Sequence, residues 1–271
     1  MKTTPTNIHI ETIGSGPNLV LLHGWGMSGA VWQPIIKNLS KLFTLQIVDL
    51  PGMGLSRPTE PYHLHIIAEK VAEMLPPSVD VIGWSWGGQV AMRIALDQPD
   101  AVRRLVLVGS TPCFVNKEEF MTQALWSSGI APEVFSQFAE SMDLDYHKTI
   151  TNFLTLQCMG DKMARLTIRL LRKKLDERPS PTSQTLQRAL EILLNTDLRS
   201  DIVHLRKPTL LIHGDRDSLV PVQAAHWMMQ NLPVGFLRVI SGASHAPFLS
   251  HQKQFLDTVV QFLEPTSVKT V

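Results

Sequence analysis

Most of what would tie this chain to a specialised environment is missing from it. It holds only two cysteines, Cys113 and Cys158. They are too few for a disulfide framework, so free thiols in a reducing compartment are expected. Charge of neither sign is in excess, with 25 Lys and Arg against 24 Asp and Glu. That balance provides no field to gather nucleic acid or an anionic membrane. No run approaches the roughly 20 apolar residues of a membrane span. The opening MKTTPTNIHIETIGSG has a lysine but no apolar stretch behind it, so a signal peptide is not expected. Internal repeats and low-complexity tracts are also missing. The expectation is a cytoplasmic globular protein, and 271 residues that are 44% hydrophobic suffice for one domain with a sizeable insertion.

What the chain does have is a recurring pattern. Short runs rich in Val, Ile and Leu end in glycine or turn residues: 18-NLVLLHG-24, 43-FTLQIVDLPG-52, 79-VDVIG-83, 104-RLVLVGS-110, 208-PTLLIHGD-215 and 236-FLRVISG-242. Such runs suit strands buried on both faces of a parallel sheet. Helical spacing lies between them, as in 64-LHIIAEKVAEML-75 and 87-GGQVAMRIALDQ-98. The alternation predicts an α/β fold with a mostly parallel sheet flanked by helices. It breaks between Cys113 and Leu198, where only helical patterns are read, among them 119-EFMTQALW-126, 149-TITNFLTLQCM-159 and 161-DKMARLTIRLLRKKL-175. The expected division is therefore a core over 1–112, a helical cap over 113–198, and the rest of the core over 199–271. Insertions at the carboxyl ends of strands lie where such sheets bind ligands.

Within 81-VIGWSWGGQV-90, the residues Gly83-Trp84-Ser85-Trp86-Gly87 fit G-x-S-x-G between a strand-like and a helix-like run. In a nucleophile elbow this turn exposes the serine, and the glycines let helix and neighbouring strand come close. The alternative is a glycine-rich turn with an incidental serine. A serine hydroxyl needs a base and an orienting acid, which in this fold follow in the order Ser, acid, His. His245, in the small-residue loop 241-SGASHAPF-248, is the candidate base. His251 reads as a surface or capping residue, His23 as a loop brace and His213 as a locally bonded residue. Asp217 in 214-GDRDSLVP-221 is favoured as the acid, with Asp215 bracing its loop and Asp49 ordering its own turn. Backbone N–H groups of Trp86 and of the 23-HGWGMS-28 loop, from Trp25, are the expected oxyanion donors.

With those residues placed, the chain resembles the α/β-hydrolase superfamily over nearly its whole length. Within it, the chain is similar to the pimeloyl-[acyl-carrier protein] methyl ester esterases of biotin biosynthesis. The resemblance is carried by 20-VLLHGWGMSGAVW-32, 51-PGMGLS-56, 82-IGWSWGG-88, 153-FLTLQCMG-160, 190-LEILLNTDLR-199 and 245-HAPFLSH-251. It implies a catalytic Ser85, Asp217 and His245, and an acyl pocket formed by Trp25, Trp86, Phe153, Leu154, Thr155, Leu156 and Gln157. It also implies a carrier-protein partner and a reaction that needs no metal or organic cofactor; a monomer is expected, although the sequence itself does not reveal the oligomeric state. The family's usual residue after the serine is leucine, and Trp86 departs from it. The Trp86 ring is expected to narrow the pocket together with Trp25, while Trp84 only packs beside the elbow. The triad alone equally fits a general carboxylesterase, a C–C bond hydrolase, or a non-catalytic ligand receptor on the same scaffold.

From Lys162 to Arg178 seven basic residues face two acidic ones. At helical spacing Lys162, Arg165, Arg169, Arg172 and Lys173 share an arc of about 100°. The stripe is either a docking face for an acidic carrier or an ordinary solvated helix face.

Overall fold

Each aliphatic run read from the sequence becomes a strand, and the branched side chains of all but the last, Gly235–Ile240 at the sheet edge, form most of the core between two helical layers. The computed structural model describes residues 8–118, 125–144 and 146–264. Its strands are β1 (Ile10–Gly14), β2 (Asn18–Leu22), β3 (Thr44–Val48), β4 (Val79–Trp84), β5 (Val102–Val108), β6 (Lys117–Glu118), β7 (Leu125–Trp126), β8 (Thr209–Gly214) and β9 (Gly235–Ile240). The helices are α1 (Gln33–Leu39), α2 (Leu64–Ala72), α3 (Trp86–Asp97), α4 (Pro132–Leu144), α5 (Tyr146–Gln157), α6 (Ala164–Asp176), α7 (Ser183–Asn195), α8 (Val222–Asn231), α9 (Pro247–Ser250) and α10 (Gln252–Leu263).

Seven strands form one sheet in the order β1-β3-β2-β4-β5-β8-β9. All neighbours are parallel except β1, which runs antiparallel to β3. β4 and β8 are buried at all six positions, as strands covered on both faces must be. β1 is absent from the sequence reading because its IETIG holds no aliphatic run and stays partly exposed at the sheet edge. The chain steps from β2 outward to β3 and then returns to place β4 on the other side of β2. That reversal opens a crevice at the carboxyl ends of β2 and β4, where ligands bind in such sheets.

One buried charge locks the sheet to its last helix. Asp80, fully buried in β4, accepts hydrogen bonds from Arg103 (2.9 Å) and from Arg104 (2.7 and 3.0 Å). Arg104 also donates to the carbonyls of Phe262 and Leu263, which the end of α10 leaves without helical partners.

The chain leaves the sheet after β5 and returns before β8, and the N–H of Leu198 donates to the carbonyl of Pro112 at 2.9 Å. Between them lie α4 to α7, but also a small hairpin of β6 and β7. This corrects the helical reading of 119-EFMTQALW-126. Its described residues, Leu125 and Trp126, are extended, and 119–124 lie outside the described residues. Local bonds hold the extended form: Trp126 Nε1 donates to Cys113 O, and Asn116 Oδ1 accepts from Gly129 N. Thr182 caps α7 by accepting the N–H of Thr185 at 3.1 Å. The two thiols are free and buried, and burial pushes Cys158 up to about 12 and raises Cys113 as well. No helix of the described residues is long and apolar enough to cross a membrane.

Candidate active site

Ser85 occupies the single residue between β4 and α3, with φ 55° and ψ −121°. A left-handed φ is costly for any side chain, and such strain gathers at functional turns. The surrounding backbone holds it there. Ser85 N–H donates to Val108 O at 2.9 Å, and Ser110 Oγ donates to Ser85 O at 2.8 Å. The flanking glycines are required by close approach. A Cβ on Gly83 would sit 2.5 Å from Gly87 O, and one on Gly87 would sit 2.4 Å from Leu22 O.

Asp217 and His245 come from the loops after β8 and β9. Asp217 Oδ1 accepts the N–H groups of Leu219 (3.0 Å) and Val220 (2.9 Å), which fixes the carboxylate plane. Its Oδ2 lies 2.7 Å from His245 Nδ1, and both side chains are fully buried. An ionised carboxylate only accepts, so Nδ1 carries the proton and Nε2 presents a lone pair. Nε2 has no hydrogen-bond partner among the described residues, so it is not bonded to Ser85 Oγ here. Such bonds tighten when substrate arrives.

The remaining polar candidates are braces. His23 Nδ1 donates to Gly24 O (2.8 Å) while Nε2 accepts from Leu50 N–H (2.9 Å), and burial lowers its pKa. His213 Nε2 donates to Val220 O at 2.7 Å, and burial lowers its pKa too. Asp49 accepts from Gly29 and Leu55 N–H, and Asp215 from Ser241 Oγ and Gly242 N–H. His251 contacts Ser250 Oγ at the start of α10.

Above Ser85 lies a narrow apolar cavity of about 60 Å³. Ser85 contributes the polar group of its lining. Trp25 and Leu219 line it from the core, and Phe114, Ile130, Phe135, Phe138, Phe153, Leu156, Leu190 and Leu193 line it from the segment between β5 and β8. Trp25 meets Phe138 and Phe153 edge-on at 5.4 and 5.1 Å, and its Nε1 donates to Leu186 O. A wider groove between α1 and α10 is lined by Asn38, Gln252, Lys253 and Asp257 and does not include Ser85.

Several placements differ from the sequence reading. Of the proposed pocket residues, Trp25, Phe153 and Leu156 line the cavity. The Trp86 ring does not: it is fully buried, and its Nε1 finds no partner among the described residues. Only its backbone N–H, at the first position of α3 and so without an intrahelical acceptor, remains available to the site. Leu154 is buried away from the cavity, and Thr155 is exposed with its hydroxyl bonded to Thr151 O. Gln157 contributes its carbonyl, which accepts from Ser244 Oγ (2.7 Å) and His245 N–H (3.1 Å). Trp84 proves to be more than packing. Its Nε1 donates to His245 O at 2.8 Å, and its ring lies 5.6 Å from the imidazole. The spacing of G-x-S-x-G gives chain position but not ring direction, so the two tryptophans cannot be told apart from sequence. Leu190 and Leu193 belong to 190-LEILLNTDLR-199, where the i, i+3 spacing marks one helix face without showing what it meets.

Arg165, Arg169, Arg172 and Lys173 lie exposed on α6, and Lys162 lies exposed in the turn before it, because Asp161 Oδ1 accepts Met163 N–H and delays the helix. None of the five forms an ion pair among the described residues. The neighbouring cations are engaged instead, Lys174 with Gln33 and Glu177 and Arg178 with Glu11.

Comparison with known proteins shows the family of the chain. The pattern of the α/β hydrolase fold family matches residues 17–252. A pimeloyl-[acyl-carrier protein] methyl ester esterase of Nitrosomonas europaea is 44% identical over 92% of this chain and 97% of its own. One from Aeromonas salmonicida is 41% identical over 95% and 99%. Among solved structures, a bromoperoxidase of Bacillus anthracis superposes with a TM-score of 0.86 at 23% identity, covering 97% of each chain. An esterase of Exiguobacterium antarcticum does so with 0.84 at 24% identity, covering 95% of each. At those identities the two structures speak for the fold. The chain belongs to the α/β hydrolase fold family and, within it, to the family of the pimeloyl-[acyl-carrier protein] methyl ester esterases.

Proposed function

We propose that this protein hydrolyses the methyl ester of pimeloyl-[acyl-carrier protein], releasing methanol and leaving the free ω-carboxylate on the carrier. The observation that carries the reading is a strained serine at the floor of an apolar cavity, beside an Asp217–His245 pair, in a chain 44% identical to an esterase of that name.

Ser85 Oγ attacks the ester carbonyl while His245 Nε2 takes its proton. Asp217 holds the imidazole tautomer and stabilises the imidazolium that forms. The tetrahedral oxyanion is received by the backbone N–H groups of Trp86 and Trp25. The loop that carries Trp25 passes beside the serine, since a Cβ built on Gly24 would lie 3.3 Å from Ser85 Cβ. One such donor is worth about 10²–10³ in rate. As the tetrahedral adduct collapses, His245 returns the proton to the methoxide, and methanol leaves. Water, deprotonated by the same imidazole, then attacks the acyl-enzyme and frees Ser85.

The five cations of α6 and its preceding turn, which form no ion pair among the described residues, steer the acidic carrier to the cap. Exposed Met163 and Leu166 beside them offer apolar contact. The test compares carrier-bound methyl ester with short p-nitrophenyl esters. Wild type should turn over the carrier-bound ester efficiently, and Arg165→Glu with Arg169→Glu should raise KM for it alone. Equal effects on both substrates would remove the docking face. A wild type that prefers the free esters would point to a general carboxylesterase.

A further inference from the structure

We propose that the last turn of α5 and the chain just after it latch the two loops that carry the acid and the imidazole, and that Ser244 is a positioning residue acting through that latch. The proposal rests on reading Ser85, Asp217 and His245 as the reacting residues, and goes on to what sets their geometry.

The end of a helix leaves carbonyls without helical partners. At the end of α5, three carbonyls within Leu156–Gly160 accept donors from the two loops. Gln157 O takes two, Ser244 Oγ at 2.7 Å and the His245 N–H at 3.1 Å. Leu156 O takes Ser218 Oγ at 3.3 Å, and Gly160 O takes Arg216 Nη1 at 2.8 Å. Arg216 and Ser218 flank Asp217, while Ser244 precedes His245. Gly160 turns with φ +83°, and a Cβ there would lie 3.4 Å from Arg216 Cβ, so the turn and the acid loop are fitted closely.

The histidine is thus held on both sides of its own residue. Its N–H is bonded to the cap, and its carbonyl accepts Trp84 Nε1 from the elbow at 2.8 Å. Ser244 and Gln157 are both buried, so water does not compete for the bond between them. Phe153 and Leu156, which line the cavity, project from the same helix. An acyl chain that fills the cavity therefore bears on the element that holds the imidazole.

The test uses the full chain, a p-nitrophenyl butyrate assay, and titration of Ser85 with a fluorophosphonate so that kcat is expressed per reactive serine. Ser244→Ala should lower kcat about 2–10-fold, the loss of one neutral hydrogen bond, with KM unchanged. Ser244→Thr, which keeps the hydroxyl, should recover most of it. Because Ser244 is buried, Arg216→Ala supplies a second reading from an exposed side chain, with a smaller fall in kcat and the same KM. Lys253→Ala on α10 should change neither constant. Wild-type kcat per titrated serine in both Ser244→Ala and Arg216→Ala would overturn the latch, as would a loss confined to KM. A wild type that fails to label would overturn it too, but through Ser85, with the fault in the triad reading itself.

Discussion

Ser85 lies between two glycines, Gly83 and Gly87, whose positions admit no side chain, whereas the segment between β5 and β8 above it meets the cavity only with side chains. At the floor, Gly83 and Gly87 each lie where a Cβ would come within about 2.5 Å of a backbone carbonyl. The polar atoms around them, on Asp217, His213, His23 and Ser110, have named partners within the core. In the roof, Phe135, Phe138, Phe153, Leu190 and Leu193 present carbon alone. The floor is specified by hydrogen-bond geometry, which fails abruptly, and the roof by volume, which can be traded residue for residue. Chemistry and selectivity therefore occupy different parts of the chain and should respond differently to change.

The largest effect is expected at the floor. Ser85→Ala should lower kcat by roughly 10⁴–10⁶-fold for every ester tested and abolish fluorophosphonate labelling. Activity that survived would detach the chemistry from the elbow. Next comes Gly87→Ala, a single methyl group pressed against the Leu22 and His23 carbonyls, at 2.4 and 2.5 Å before relaxation. It should cost about 1–3 kcal/mol of stability and reduce activity toward all esters alike. Unchanged denaturation midpoint and kcat would show that the elbow is looser than its geometry says.

A roof substitution should behave otherwise. Leu190→Ala enlarges the cavity and should shift relative kcat/KM toward longer acyl esters by about tenfold, with Ser85 labelling retained. A uniform loss across chain lengths would erase the distinction between the two regions. Smaller still, Thr182→Ala removes the cap of α7 and should cost about 1 kcal/mol, with a Tm lower by about 2–4 °C.

The mildest expectation concerns acid. His23 and His213 both lie in the floor, and burial holds both below the ordinary histidine value near 6.5. Their folded forms prefer to be neutral. The stability they contribute is whole above that value and is lost as the pH falls through it toward the depressed folded values. The denaturant midpoint should be lower at pH 5.5 than at pH 7.5, and His213→Asn should flatten the difference. A midpoint that does not move would place the acid sensitivity elsewhere.

The same division governs what the sequence reveals. The floor was legible because its demands are local: a serine between glycines after an aliphatic run, and a small-residue loop around His245, each declare their geometry within a few residues. Asp217 could be preferred over Asp215 on spacing alone. The roof was less so. Leu154, Phe153 and Leu156 share one short run, yet only the last two reach the cavity, because helical phase and the direction of the neighbouring helix decide which side is inside. Trp84 and Trp86 are symmetric about the serine in sequence, but one hands its N–H to the histidine loop and the other disappears into the core. The edge strand β1 and the hairpin of β6 and β7 escaped for a similar reason. Each is defined by a partner strand rather than by its own composition.

One bond at the base of the segment between β5 and β8 has a consequence for how such proteins diversify. Pro112 and Leu198 are joined by a backbone hydrogen bond across the mouth of everything that separates β5 from β8, and those two strands are themselves neighbours in the sheet. A segment that starts and finishes at one point is a cassette. It can be lengthened, shortened or exchanged without asking the sheet to move, since closing a longer loop costs only about 0.6 kcal/mol per doubling. A shuffled library that cuts at those two residues would inherit Asp217, His245 and the elbow intact while sampling new substrates. Each graft would need to rebuild, at its own helix end, the carbonyls that receive Ser244, His245, Ser218 and Arg216.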